Sequence, residues 1–120
     1  MSSTMALSVL QIAYYPGLLE TRHAMLEHDG YQVTSTLGNE EGMLAAAKGS
    51  FDVIVVGFST TYARRNNMVK WLKRHAPHIP IVVLMANSNE RFPDADCVTF
   101  SEDPTEWLSA VRGACQAKPD

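Results

Sequence analysis

Apolar residues in this chain gather in short unbroken runs, and between the runs they recur at helical spacing, so strands and helices alternate. The central run is Phe51-Asp52-Val53-Ile54-Val55-Val56-Gly57. Opened by an acid, rich in β-branched residues and closed by glycine, it predicts a strand buried on both faces at the middle of a parallel sheet. Ser8 to Ala13 predicts a first strand, and Pro16 suits the first position of the helix that follows, where no amide donor is needed. Leu18, Leu19, Arg22, Met25 and Leu26 recur along that helix at helical spacing, and Asp29-Gly30 supplies a left-handed exit. Tyr31 to Thr36 predicts a second strand. Asn39 is then an acceptable N-cap for a short helix with Glu40 and Glu41 in its first turn, running to Lys48 and stopped by Gly49.

Beyond the central strand, Tyr62 to Ala76 predicts a third helix that turns Met68, Val69, Trp71, Leu72 and Ala76 to the core and ends before Pro77. Pro80 to Met85 is another buried strand. Ala86 to Ala95 is polar, broken by Pro93, and predicts loop with at most one helical turn. Cys97 to Phe100 makes a short last strand. Asp103-Pro104-Thr105-Glu106 is a strong helix start, with the Asp as cap, the Pro at the first position and the Glu able to reach back. The final helix runs to about Gln116, with Trp107, Leu108, Val111, Ala114 and Cys115 on one stripe, and Ala117 to Asp120 are expected to fray. Alternation of this kind predicts a single α/β domain over residues 1–120, a doubly wound parallel sheet in the order 2-1-3-4-5. In such sheets ligands bind beyond the carboxyl ends of the central strands, which marks Gly57 and the loop Phe58 to Thr61 as the expected site.

Composition narrows the function. The 120 residues are 46% hydrophobic, enough for one core, and the net charge of −3 argues against a broad nucleic-acid footprint. Cys97 and Cys115 are far apart and match no metal or disulfide framework, which predicts reduced thiols in the cytoplasm. The start, Met1 to Leu7, carries no basic segment of a signal peptide, and no apolar run approaches the roughly 20 residues that span a bilayer.

In order and spacing, several features together resemble the receiver domains of two-component response regulators, the CheY-like, flavodoxin-like fold. They are Pro16 through Val33, the Gly38-Asn39-Glu40-Glu41 opening of the second helix, Phe51-Asp52 with its four apolar followers, Ala76 through Leu84, and Asp103-Pro104. That resemblance implies a phosphoryl transfer from a histidine kinase to an aspartate at the end of the third strand. An acidic pair after the first strand would hold Mg²⁺, with a Ser or Thr after the fourth strand and a Lys after the fifth. Position by position, the acidic pair falls on Ala13 and Tyr14, the phosphoacceptor on Gly57, the hydroxyl on Met85, and the lysine on Ser101 or Phe100. None of these residues can hold the metal or carry the phosphoryl group. The nearest acid, Asp52, lies at the other end of the central strand, about 16 Å away at about 3.3 Å per residue. The expectation is therefore a degenerate, phosphorylation-independent receiver that uses no cofactor or metal and is not an enzyme.

Other residues carry alternatives. Ser59, Thr60, Thr61 and Tyr62 flank the crevice as loop or capping hydroxyls, or line a ligand pocket. Tyr14 and Tyr15 fill space left by the missing carboxylates, or stack on a planar ligand, which makes a small-ligand sensor the second function. His75 and His78 are expected in solvent rather than on a metal. Arg64, Arg65, Lys70, Lys73 and Arg74 read by default as a solvated helix face, otherwise as a dock for an acidic partner or nucleic acid. Compared with an ordinary receiver, several residues are missing between the fourth and fifth strands, so the helix there is shortened or lost. That exposes a candidate interface for a signalling protein or a second copy on Met85, Val98, Phe100 and Trp107, unless Phe92 and its loop fold over the gap.

Overall fold

The computed structural model describes residues 6–59, 61–86 and 89–116. Its elements are β1 (Ser8–Ala13), α1 (Pro16–His28), β2 (Gln32–Leu37), α2 (Gly38–Lys48), β3 (Val53–Val56), α3 (Tyr62–His75), β4 (Ile81–Met85), β5 (Cys97–Phe100) and α4 (Pro104–Gln116). The strands form one sheet in the order β2-β1-β3-β4-β5, every neighbouring pair parallel. This is the expected doubly wound fold, and no helix stands between β4 and β5 among the described residues.

Period-two alternation along the buried strands divides the core between two faces. Leu10, Ile12, Ile54, Val56, Ile81 and Val83 face α2 and α3, where Met68, Val69 and Leu72 meet them. Val9, Val53, Val55, Val82 and Leu84 face α1 and α4, against Leu26, Trp107, Val111 and Cys115. Trp107 is only 1% exposed, so it belongs to the core and cannot serve as the interface residue its sequence position suggested. Phe92 is also buried, inserted beside Met68 and Val83 on the α3 face. The loop between β4 and β5 thus folds over the space that a further helix would cover, and one aromatic side chain replaces its packing.

Local rules explain the boundaries. Pro16 opens α1 as expected, and Gly30 turns the chain out at φ +101°, a conformation that L side chains rarely adopt. Asn39, however, is no cap: α2 begins one residue earlier at Gly38, with φ +83°, directly after β2. The orphan amide of Leu37 is satisfied by Glu41 Oε1 at 2.8 Å, which leaves the Asn39 side chain available for the crevice wall. At α4, Asp103 Oδ1 accepts from the Glu106 amide at 3.1 Å, the expected cap. Glu106 does not reach back along the helix. Its carboxylate accepts from the Thr99 hydroxyl at 2.6 Å and the Phe100 amide at 3.1 Å, and so ties α4 to β5. Asp52 accepts from the Ser8 amide at 2.8 Å at the amino end of the sheet, away from the crevice.

Candidate functional site

The carboxyl ends of β1, β3, β4 and β5 bring Ala13, Tyr14, Gly57, Met85 and Ser101 to one edge of the sheet. Ala13 is fully buried at the end of β1. Tyr14 follows it with its ring against the α2/α3 face, and its hydroxyl donates to Asn39 Oδ1 at 2.6 Å. Asn39 Nδ2 in turn donates to the Arg64 carbonyl at 3.0 Å, so one side-chain amide couples β1, α2 and α3. Burial pushes the Tyr14 phenol up to about 12, an effect tempered by the positive charges of Arg65 and Arg64. Tyr14 is thereby a fixed wall. Tyr15 takes a different position and stacks on Phe58, ring centroids 6.1 Å apart, across the two loops that flank Gly57.

Gly57 closes the central strand, its amide donating to the Ile12 carbonyl at 2.8 Å. A Cβ at this position would stand 2.8 Å from Nη1 of Arg22 and 3.2 Å from the Ile12 carbonyl oxygen. Arg22 comes from α1, where it recurs in helical register with apolar residues, and it is only 5% exposed. Among the described residues its Nη1 has no hydrogen-bond partner. Burial holds its pKa below the usual guanidinium value, yet a guanidinium stays protonated at any physiological pH.

A second arginine occupies the β4 side. Arg65 was expected on a basic helix face, but it is fully buried and leaves that face to Arg64, Lys70 and Arg74. Its Nη1 donates to the Leu84 carbonyl at 3.2 Å and its Nη2 pairs with Glu90. Its guanidinium carbon lies 5.6 Å from the centroid of Phe58 and 5.1 Å from that of Phe92. A neutralised ion pair with aromatic neighbours therefore anchors the β4–β5 loop. Lys73, the remaining member of the basic set, pairs with Asp96 at 2.7 Å.

The hydroxyl cluster serves the same loops. Ser59 is buried and accepts from the Thr61 amide at 3.2 Å, while Tyr62 donates to the Arg91 carbonyl and packs on Phe92 at 5.1 Å. Thr60 lies outside the described residues, as do Ala117 to Asp120. His75 stacks on Trp71 at 4.1 Å and engages its carbonyl, and His78 is exposed. On the β5 side Phe100 is 39% exposed, while Met85 and Val98 are half-buried.

These residues do not suit a divalent cation. No carboxylate comes from Ala13, Tyr14 or Gly57, and no cluster of three or more His, Cys, Asp or Glu able to hold a metal occurs among the described residues. Arg22 adds repulsion.

Sequence reasoning missed the two buried arginines, although Arg22 recurred with the apolar positions of its helix and that was the available signal. It also missed a groove of about 380 Å³ between α1 and β2, lined by Leu19, Glu20, His23, Ala24, Glu27 and Ser35. There Ser35 Oγ lies 2.7 Å from His23 Nδ1, and His23 Nε2 lies 3.2 Å from Glu27 Oε2. Gln11, buried in β1, donates to the same Ser35 oxygen at 2.7 Å. The line has the order of a nucleophile, a base and an orienting carboxylate, but the Glu27 side chain is 58% exposed and water screens it.

No family model and no curated protein matches the chain. Solved structures do. A CheY-like response regulator receiver domain protein from Methanospirillum hungatei JF-1 superposes with a TM-score of 0.83 at 14% identity, covering 93% of this chain and 95% of that one. The response regulator TrrA of Thermotoga maritima, solved in complex with Mg²⁺-BeF, gives 0.81 at 18% identity, with 92% and 99% covered. The receiver domain of sensor histidine kinase PA1611 from Pseudomonas aeruginosa PAO1, solved with a magnesium ion coordinated in its active site cleft, gives 0.77 at 15% identity, with 94% and 100% covered. The chain has the CheY-like receiver fold. Among the described residues no helix is long and apolar enough to cross a membrane.

Proposed function

We propose that this domain is a receiver-like module of two-component-type signalling that works without phosphorylation, through contact with another protein or a second copy of itself, and that it is not an enzyme. The observation that carries this reading is the position of Arg22 Nη1, 2.8 Å from the place of a Cβ on Gly57. A phosphoacceptor side chain there would have to displace the Arg22 guanidinium, whose charge opposes the magnesium ion that phosphoryl transfer would need. The other corners, Ala13, Tyr14, Met85 and Ser101, supply neither a carboxylate nor a cation to replace the missing chemistry. Phe100 on the edge strand β5, with Met85 and Val98 beside it, offers the apolar surface for the contact.

The test is incubation of the protein with acetyl phosphate and Mg²⁺ followed by intact mass measurement. The expected mass is that of the unmodified chain, and a gain of one phosphoryl group would refute the reading. A second reading, a small-ligand sensor in the same crevice, is favoured by Arg22 Nη1, which has no hydrogen-bond partner among the described residues.

A further inference from the structure

We infer that the crevice at Gly57 is an oxyanion site, in which Arg22 Nη1 donates directly to an oxygen of a phosphate- or carboxylate-type group with no metal ion between them. The inference rests on the reading above, that the crevice does not carry out phosphoryl transfer, and it names the class of ligand that the same place accepts instead.

Charge balance is the argument. Two guanidinium groups lie buried near the carboxyl end of the sheet, those of Arg22 and Arg65. Arg65 is neutralised by Glu90. Arg22 forms no ion pair among the described residues, and its Nη1 has no acceptor. Ala13, Tyr14, Met85 and Ser101 bring no negative charge. A guanidinium that is 5% exposed, with one shielded amino group lacking an acceptor, is costly to a protein interior, and an oxyanion accepting from Nη1 relieves both deficits together, the charge and the unused donor. Gly57 makes the approach feasible, since a larger residue would put its side chain where Nη1 now points. Nη1 is shielded from solvent, so an oxyanion reaches it only as the guanidinium shifts from its present packing.

Thermal unfolding of the whole chain in a chloride buffer, with sodium phosphate, sulfate or acetate added at matched ionic strength, tests the inference. The wild-type midpoint should rise by about 3–6 °C at a free anion concentration about five times the dissociation constant, with no such rise for added chloride. Arg22→Met, checked for folding by circular dichroism, should lose the response, and Arg22→Lys should keep a weaker one. Should Arg22→Met fail to fold, the wild-type protein still decides. In a phosphate titration followed by nuclear magnetic resonance, the Arg22 Nε–H and Gly57 amide signals should shift together. Tighter binding of a nucleoside monophosphate than of phosphate would support the site and assign it to a larger metabolite. Equal responses to the oxyanions and to chloride, an unchanged response in Arg22→Met, or shifts that leave Arg22 and Gly57 unmoved would overturn it. Non-covalent anion binding leaves the mass unchanged. A phosphoryl mass gain with acetyl phosphate and Mg²⁺ therefore marks failure of the functional reading, and flat midpoints mark failure of the oxyanion site.

Discussion

Arg22 on α1 ends at Gly57 on the carboxyl edge of β3, and with 2.8 Å between Nη1 and the place of a glycine Cβ, the guanidinium and any side chain at 57 compete for the same space. Glycine is not required here for its backbone freedom, because the positive-φ glycines are Gly30 and Gly38. What it leaves is space, which a side chain from 35 positions earlier in the chain takes up.

Gly57→Ala should therefore destabilise the fold by about 1 kcal/mol, the low end for adding a carbon to a packed site, because the nearest atom ends a flexible side chain. Arg22→Ala makes room, so the same glycine substitution in that background should cost less. Urea unfolding of the wild type, both single variants and the double variant measures the coupling, expected at about 0.5–3 kcal/mol for side chains in contact. Strict additivity would show that the 3.2 Å approach to the Ile12 carbonyl, rather than Arg22, excludes the side chain.

Arg65 and Glu90 form a buried charge pair, and their side chains are 0% and 12% exposed. Glu90→Gln should leave the guanidinium uncompensated and lower stability by about 3–5 kcal/mol, read by urea unfolding. Replacing both with methionine should recover most of that loss, because an apolar pair of similar volume carries no desolvation penalty. A single variant as stable as the wild type would show that the pair does not hold the loop.

How far the sequence carries depends on range. Strand and helix order was legible, because Val53 to Val56 and Ile81 to Leu84 are continuous apolar runs, and because Pro16, Asp29-Gly30 and Asp103-Pro104 are local signals whose physics acts within one turn. The crevice residues were legible as positions, since strand ends fix where a site must lie. The side chains that enter the crevice were not. Arg65 falls in a run of basic residues that reads as a wet surface, and only the tertiary placement of Glu90, Phe58 and Phe92 makes its burial affordable. Asn39 looked like a cap because capping is local, and it was diverted by Tyr14, 25 residues away. Glu106 was likewise drawn from its own helix to β5. In each case a long-range partner overrode a local preference.

Phe92 provides the cleanest check on how the chain does without a further helix. Phe92→Ala should cost about 3–5 kcal/mol, as expected for emptying a buried aromatic site, and should shift the urea midpoint without changing the slope greatly. Loss of the ring also removes the contacts with Tyr62 and Arg65, so amide exchange in residues 89–96 should accelerate more than in β1 or β3. Uniform acceleration across the sheet would instead make Phe92 an ordinary core residue rather than the anchor of its loop.

The tie between α4 and β5 should be visible in the acid limb of stability. The Thr99 hydroxyl, and secondarily the Phe100 amide, hold the Glu106 carboxyl below its ordinary value of 4.5. A carboxylate whose folded pKa is depressed contributes stability that is present above its unfolded pKa and lost as pH falls through the folded one. Stability measured from pH 6 downward should therefore fall below about pH 4.5, and the Glu106→Gln variant should fall less steeply over that window. Thr99→Val removes the larger cause, so it should flatten the same region while leaving the Phe100 contribution. If Glu106→Gln keeps the wild-type slope, the carboxylate is not held in the folded state, and the exposed edge at Phe100 is free to move independently of α4.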